Sequence, residues 1–215
     1  VKVLVMAKAP LPGRVKTRLC PPLTPEQACE VAEAALADTL DAVAACGADE
    51  GVIALDGAPG PWLPPGFRIV RQEGTTFADR LARAWHDCGG PALQIGMDTP
   101  QADSALLDSS LSALDASPRG CVIGLAHDGG WWAIGLREPQ PDVFQGVPMS
   151  TPATGAHQIA RLRLLGLEPA HLRPLVDVDT WSEARAVASE VPLGRFAARV
   201  RAIEAGAAEL RAGSQ

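Results

Sequence analysis

The sequence predicts an α/β domain built on one mostly parallel sheet with helices on both faces. Three observations carry this. Short apolar runs alternate with longer amphipathic stretches along all 215 residues. Turn residues fall where the runs stop. No 20–50-residue repeat or low-complexity tract interrupts the pattern. Apolar residues make up 47% and charged residues 20%, an ordinary balance for a globular chain that can bury a substantial core.

The elements follow in order. A strand lies near 1–6. A helix runs from about 25 to 46, with Thr24 as N-cap, Pro25 in its first turn, Gln27 completing a capping box and Gly47 ending it. Strands near 52–55 and 67–70 flank a Pro/Gly-rich loop, 57–66. A helix over roughly 76–88 repeats Phe77, Leu81 and Trp85 on one face. A strand at 92–96 ends in Met97-Asp98-Thr99-Pro100, and a helix covers 103–115. A strand at 121–125 precedes His127-Asp128-Gly129-Gly130, and another runs through 131–134. After a helix near 154–165, a last strand leads to Asp177-Val178-Asp179. Helices near 181–190 and 194–211 close the chain.

One domain over 1–193 is therefore expected, with a final helix and frayed tail, 194–215, packed on it. In that helix Phe196, Val200, Ile203, Ala207 and Leu210 form a narrow seam. The seam suits packing on its own domain or against a second copy in a homodimer. No apolar run is long enough to span a membrane, and the opening strand is too short for a signal peptide. A cytoplasmic protein is expected. Cys20, Cys29, Cys46, Cys88 and Cys121 have neither metal-ligand nor redox-motif spacing and read as reduced core residues.

Charge is distributed unevenly. Of 19 basic residues, Lys2, Lys8, Arg14, Lys16 and Arg18 fall in the first eighteen positions, where none of the 25 acidic residues lies. The net charge is -6, which disfavours a nucleic-acid surface. A compact basic loop after a first strand suits a small phosphorylated ligand, because open α/β sheets bind ligands beyond the carboxyl ends of their strands. A solvated basic loop is the alternative.

The acidic candidates lie at later strand ends. Asp98 follows a buried strand, where a carboxylate can hold Mg²⁺ together with substrate phosphates; it equally suits a turn or helix cap. Alternation along an extended strand puts Asp177 and Asp179 on one side, a repulsive arrangement that a cation would relieve. Asp179 also stands where a cap for the next helix belongs. Asp128-Gly129-Gly130-Trp131-Trp132 reads either as a ligand-contacting segment, with Asp128 as base or hydroxyl acceptor, or as an Asp-Gly hairpin turn. Asp79 and Arg80 sit in a helix first turn, which can bind an anion or simply start the helix.

Four segments in order carry a family resemblance: Met6-Ala7-Lys8-Ala9-Pro10 with Gly13-Arg14-Val15-Lys16-Thr17-Arg18-Leu19; Ile95-Gly96-Met97-Asp98-Thr99-Pro100; Asp128-Gly129-Gly130-Trp131; and Asp177-Val178-Asp179-Thr180. They resemble the nucleotide-diphospho-sugar transferase superfamily of GT-A fold, and within it the DUF2064 family, over about residues 1–190. Lys16-Thr17-Arg18-Leu19 is also similar to the corresponding loop of 2-phospholactate guanylyltransferases. The resemblance implies a Rossmann-like GT-A fold and a Mg²⁺- or Mn²⁺-dependent transferase acting on an activated nucleotide and a small-molecule acceptor. It implies phosphate binding by Ala7, Lys8, Pro10, Gly13, Arg14, Lys16 and Arg18, and metal binding by Asp98 and Asp179, with Asp177 as the other candidate. Asp128 and Lys16 become the catalytic candidates, and Gly129, Gly130 and Trp131 the substrate pocket.

The pattern departs from the family in three places. Met97-Asp98-Thr99 carries one carboxylate rather than the Asp-Xaa-Asp of many glycosyltransferases. Trp131 replaces a usual Tyr, and Phe77-Ala78-Asp79-Arg80 replaces a more usual Leu-Gly-Glu-Arg. Glycosyl transfer from a nucleotide-diphosphate sugar is the leading reading. Nucleotidyl transfer, suggested by the five cations, and a non-catalytic nucleotide-binding domain are the alternatives.

Overall fold

A computed structural model describes residues 1–212. Seven strands form one sheet in the order β3-β2-β1-β4-β6-β5-β7. Strand β1 (Lys2–Lys8) lies at its middle, paired parallel with β2 (Glu50–Asp56) and β4 (Ala92–Ile95). Strand β3 (Arg68–Arg71) extends the sheet beyond β2. On the other side, β6 (Trp131–Leu136) runs antiparallel between β4 and β5 (Cys121–Leu125), and the short β7 (Ala170–His171) pairs parallel with β5. The sheet is mostly parallel as expected, and β6 is its antiparallel exception. β5 and β6 are joined by a tight hairpin, which forces antiparallel pairing. The hairpin still opens at the carboxyl end of β5, so residues 127–130 share an edge with the ends of β1 and β4.

Alternation along β1 divides the core. Val3, Val5 and Ala7 face a layer containing α1 (Pro25–Ala45) and α3 (Ser104–Ala116). Leu4 and Met6 face α2 (Phe77–Cys88) and α4 (Thr154–Leu164). Strands buried on both faces read as continuous apolar runs, the pattern seen at 3–7 and 52–55. A third cluster joins α1 to α5 (Trp181–Glu190) and α6 (Arg195–Ala212) through Val31, Val187, Phe196 and Val200. In the predicted seam, Phe196 and Val200 are buried, Ile203 is half-buried and Ala207 is exposed. The side chain of Leu210 and the tail after residue 212 lie outside the described residues.

Local signals set the helix starts as expected at Thr24, whose side chain accepts from the Gln27 N–H while the Gln27 side chain accepts from its own. Two expectations change. The last strand is short and does not reach Asp177: β7 ends at His171, Leu175 makes only an isolated bridge to Ala126, and at 177–179 the Asp179 N–H bonds back to the Asp177 carbonyl in a tight turn. The alternation argument for those two aspartates therefore does not hold. Thr180, not Asp179, caps α5, forming a capping box with Glu183 that leaves the Asp179 carboxylate free for other partners. The five cysteines are free thiols. No helix among the described residues is long and apolar enough to cross a membrane.

Candidate active site

The carboxyl ends of β1, β4 and β5 open into a cleft of about 440 Å³. Backbone and side-chain ties assemble its walls. The β1 end is fixed by Gln72, whose amide donates to the carbonyls of Ala7 and Ala54 at 2.8 and 2.9 Å. The loop after β1 turns at Leu11–Arg14, where the Arg14 N–H reaches the Leu11 carbonyl and Gly13 takes a φ of +74° beside Pro12. Buried Val15 and Leu19 anchor the loop on either side of Lys16. Lys16 itself is left-handed, at φ +47° and ψ +38°, just before a short 3-10 turn over Thr17–Leu19. That conformation is uncommon for a non-glycine residue and costs roughly 1–2 kcal/mol.

The Asp98 turn is clamped against the 176–179 segment. The Val178 N–H donates to the Asp98 carbonyl at 3.0 Å, and the Gln101 amide donates to the Val176 carbonyl at 2.8 Å. The result brings remote charges together. Lys16 Nζ lies 2.9 Å from Asp98 Oδ1 and 3.1 Å from Asp179 Oδ1, and Arg18 Nη1 lies 2.7 Å from Asp179 Oδ2. The Lys16 side chain is only 9% exposed. Burial favours its neutral form, but Asp98 and Asp179 outweigh that and hold its pKa above the ordinary value. Burial likewise opposes ionisation of Asp179, and Lys16 and Arg18 reverse the balance, leaving its pKa below the usual carboxylate range. Asp177 lacks such a partner. Burial, then the charges of Asp98 and Asp128, push its pKa up to about 7.

The 127–130 segment is the hairpin turn that the Asp-Gly pair suggested. The Ala126 N–H donates to the Gly130 carbonyl, the Gly129 N–H donates to the Ala126 carbonyl, and Asp128 Oδ1 accepts from the Gly130 N–H at 2.7 Å. The turn also forms part of the cleft, since Asp128, Gly130 and Trp131 all line it. Gly129 has a φ of +91° and packs so tightly that a Cβ would stand 1.9 Å from the Pro152 carbonyl oxygen. Trp132 is buried and donates through Nε1 to the Arg173 carbonyl, while half-buried Trp131 stacks on Phe144 at 6.2 Å between ring centroids.

Of the residues singled out in the sequence, Ala7, Lys8, Arg14, Lys16, Arg18, Asp98, Asp128, Gly130, Trp131, Asp177 and Asp179 line this one cleft. Pro10, Gly13 and Gly129 shape its loops without facing it. Lys2 is a correction: at the opposite end of β1 it pairs with Glu50 at 3.3 Å and donates to the Cys88 carbonyl. The expected cluster of five unopposed cations also fails at Lys16 and Arg18, which carboxylates already engage. Asp79 is a capping residue, paired with Thr76, and Arg80 stacks over Phe77. Sequence reading missed Phe77, exposed at the rim, and the 149–154 wall, where Ser150 is left-handed and Thr151 meets Thr154. The Pro-Met-Ser-Thr-Pro run was its only available signal.

Whether a divalent cation fits can be judged from the ammonium. Oxygens of Asp98 and Asp179 converge on one point that a positive charge already occupies. Two carboxylates completed by ligand phosphate oxygens are the usual arrangement for Mg²⁺. Among the described residues no three His, Cys, Asp or Glu side chains form a metal cage. Asp98 and Asp179 form the pair, with the other candidate, Asp177, beside it, and the pair suits a cation that arrives with a phosphate ligand.

This sheet order and strand-end cleft define a GT-A-like fold of the nucleotide-diphospho-sugar transferase kind. Residues 28–151 match the family described as "Uncharacterized protein conserved in bacteria (DUF2064)", and the chain belongs to that family. Asp98 and Asp128 fall inside the matched span. A protein of Desulfovibrio desulfuricans G20, provisionally named a nucleotide-diphospho-sugar transferase, superposes with a TM-score of 0.84 at 25% identity over 95% of each chain. Rv0371c of Mycobacterium tuberculosis H37Rv gives a TM-score of 0.52 at 20% identity, over 86% of this chain and 95% of its own. A 4-diphosphocytidyl-2C-methyl-D-erythritol synthase of Anaerococcus prevotii DSM 20548 gives 0.50 at 10% identity, over 89% and 96%. The last two likenesses concern the fold alone. No curated protein matches the chain.

Proposed function

We propose that this protein is a divalent-cation-dependent transferase acting on an activated nucleotide, and that it moves a glycosyl group from a nucleotide-diphosphate sugar to a small-molecule acceptor. One observation carries the reading. A cationic strand-end loop and two carboxylates from distant segments meet in a single cleft, in a fold shared over 95% of its length with a provisionally named nucleotide-diphospho-sugar transferase.

In this reading exposed Lys8 and Arg14 bind the phosphates, with Arg18 and Lys16 behind them. Ala7, Pro10 and Gly13 set the path of the backbone beneath the nucleotide. Asp98 and Asp179 would hold Mg²⁺ or Mn²⁺, which would supply neutralisation of charge on the phosphate oxygens of the leaving group. Asp128 accepts a hydroxyl proton or orients a sugar hydroxyl, and Trp131 walls the sugar with an aromatic face. Gly129 and Gly130 keep that wall close. Lys16 stabilises the negative charge that develops as the bond to the nucleoside diphosphate breaks.

A second reading, nucleotidyl transfer, is favoured by one feature: Lys8, Arg14, Lys16 and Arg18 all line the cleft, a charge suited to a triphosphate. The pairing of Lys16 and Arg18 with carboxylates weakens that count, which leaves glycosyl transfer in front. Thermal shift against nucleotide-diphosphate sugars and nucleoside triphosphates, each with and without Mn²⁺, separates the readings. Ligand at 100 times its Kd stabilises by about 2.7 kcal/mol. Metal-dependent stabilisation by a nucleotide-diphosphate sugar is expected. Stabilisation by triphosphates alone moves the assignment to nucleotidyl transfer, and a response to neither ligand leaves a domain without this chemistry.

A further inference from the structure

Lys16 stands where the two carboxylates would otherwise face each other. We infer that Lys16 is an internal counter-cation: it holds the Asp98–Asp179 pair in the ligand-free protein and weakens binding of a divalent cation there until an anionic ligand takes the ammonium over. The inference rests on reading Asp98 and Asp179 as cation ligands, and it adds a coupling between metal and nucleotide through Lys16.

Charge balance gives the first argument. Asp98 and Asp179 bear two negative charges, and Lys16 and Arg18, both within hydrogen-bond range of them, bear two positive ones. A bare divalent cation entering this balanced set meets repulsion from both side chains. A cation accompanied by a diphosphate brings the negative charge that those side chains then need.

Geometry gives the second. Both Asp179 oxygens are engaged, Oδ1 by Lys16 and Oδ2 by Arg18, and the point that Asp98 and Asp179 share is taken by the Lys16 ammonium, so a metal placed there must move it. The Lys16 ammonium is nearly shut off from water and cannot be released into solvent without another anion. Its backbone is held in the left-handed region between two buried anchors, Val15 and Leu19, so the side chain alone must move. Lys8 and Arg14 line the same cleft as Lys16, so a phosphate held by them would enter the cavity that the Lys16 side chain faces. Linkage then requires that nucleotide raise metal affinity by the factor by which metal raises nucleotide affinity.

The test is calorimetric titration of Mn²⁺ alone into the wild-type chain, Lys16→Gln, Lys16→Arg, Asp98→Asn and the Lys16→Gln/Asp98→Asn double variant, each checked for folding by circular dichroism. Removing the ammonium is expected to tighten Mn²⁺ binding roughly 10-fold, within the usual range for coupling between linked sites. Lys16→Arg keeps the charge and is expected to stay near wild type, and the double variant to lose the gain. Lys16→Met, which keeps the apolar stem, replaces Lys16→Gln if that variant misfolds. If Asp98→Asn weakens Mn²⁺ binding but Lys16→Gln does not strengthen it, the carboxylate site stands and the counter-cation role is overturned. If Mn²⁺ binding ignores Asp98→Asn in both backgrounds, the carboxylate site itself is wrong and the inference falls with it.

Discussion

Lys16 and Asp179 are 163 positions apart in the chain and 3.1 Å apart in the fold. The contact joins the loop after the first strand to the turn before α5. It depends on the Asp98 turn being clamped between them, because Asp98 shares the same ammonium.

Lys16→Ala removes a cation proposed to reach the nucleotide phosphates. Nucleotide binding in the presence of Mn²⁺ is expected to weaken by roughly 1.5–3 kcal/mol, the range for a charge-assisted hydrogen bond. Calorimetry with a bound nucleoside diphosphate measures it, and an unchanged Kd returns the loop to a solvated surface feature.

Thr180→Ala probes how the Asp179 carboxylate is presented. Thr180 caps α5 through Glu183, and Glu183 also accepts from the Asp179 N–H at 3.1 Å. Loss of the cap is expected to lower stability by about 1 kcal/mol. Metal-dependent nucleotide binding should weaken with it, while Ser at this position should restore both. A drop in stability with nucleotide affinity intact would show that the cap does not position Asp179.

Gly129→Ala adds a methyl at a φ of +91° against the Pro152 carbonyl. The hairpin must then separate from the 149–154 wall, and a cost of roughly 3 kcal/mol is expected, in the upper range for point substitutions. Gly146→Ala is the control. Its φ is +74° with nothing within 4 Å of the added atom, so only the backbone strain of about 1–2 kcal/mol remains. Equal denaturant midpoints for the two variants would contradict the packing argument.

Glu50 supplies a pH signature remote from the cleft. The bidentate hydrogen bonds from Arg68 lower its carboxyl pKa against a smaller opposing effect of burial, and Lys2 adds to the lowering. A lowered folded-state pKa gives stability that is present above the ordinary Glu value and lost as pH falls through the lowered one. With 31% of the side chain exposed, solvent screening limits the effect to about 1 kcal/mol. Glu50→Gln should therefore be less stable than wild type at neutral pH, and the difference should vanish as pH falls through the lowered carboxyl pKa. A difference that persists in acid would assign the effect to packing.

Much of this was legible in the sequence. Apolar runs located all the strands except β7, and the Thr24–Gln27 box and Gly/Pro punctuation placed helix ends within one or two residues. Residues of four motifs separated by long intervals line one cleft, and three of those motifs follow strands whose ends this sheet gathers on one edge. What failed was information held in pairing. The antiparallel insertion of β6 follows from a short hairpin that the apolar pattern does not distinguish from a ligand loop. Lys2 read like the other four cations because composition does not reveal that β1 carries it to the opposite edge. At 179–180, two adjacent residues could cap a helix, and only the backbone turn decides that Thr180 does so and Asp179 faces Lys16. Phe77 fitted the apolar face of α2 by spacing, yet its place in the first turn leaves it exposed at the cleft rim.

The central claim is tested most directly by calorimetric binding of nucleoside diphosphates to the wild-type chain and to Asp98→Asn, with and without Mn²⁺. Saturable binding that requires Mn²⁺ and disappears in Asp98→Asn is the predicted result. Binding of the same strength without Mn²⁺, or unaltered by Asp98→Asn, would contradict the account.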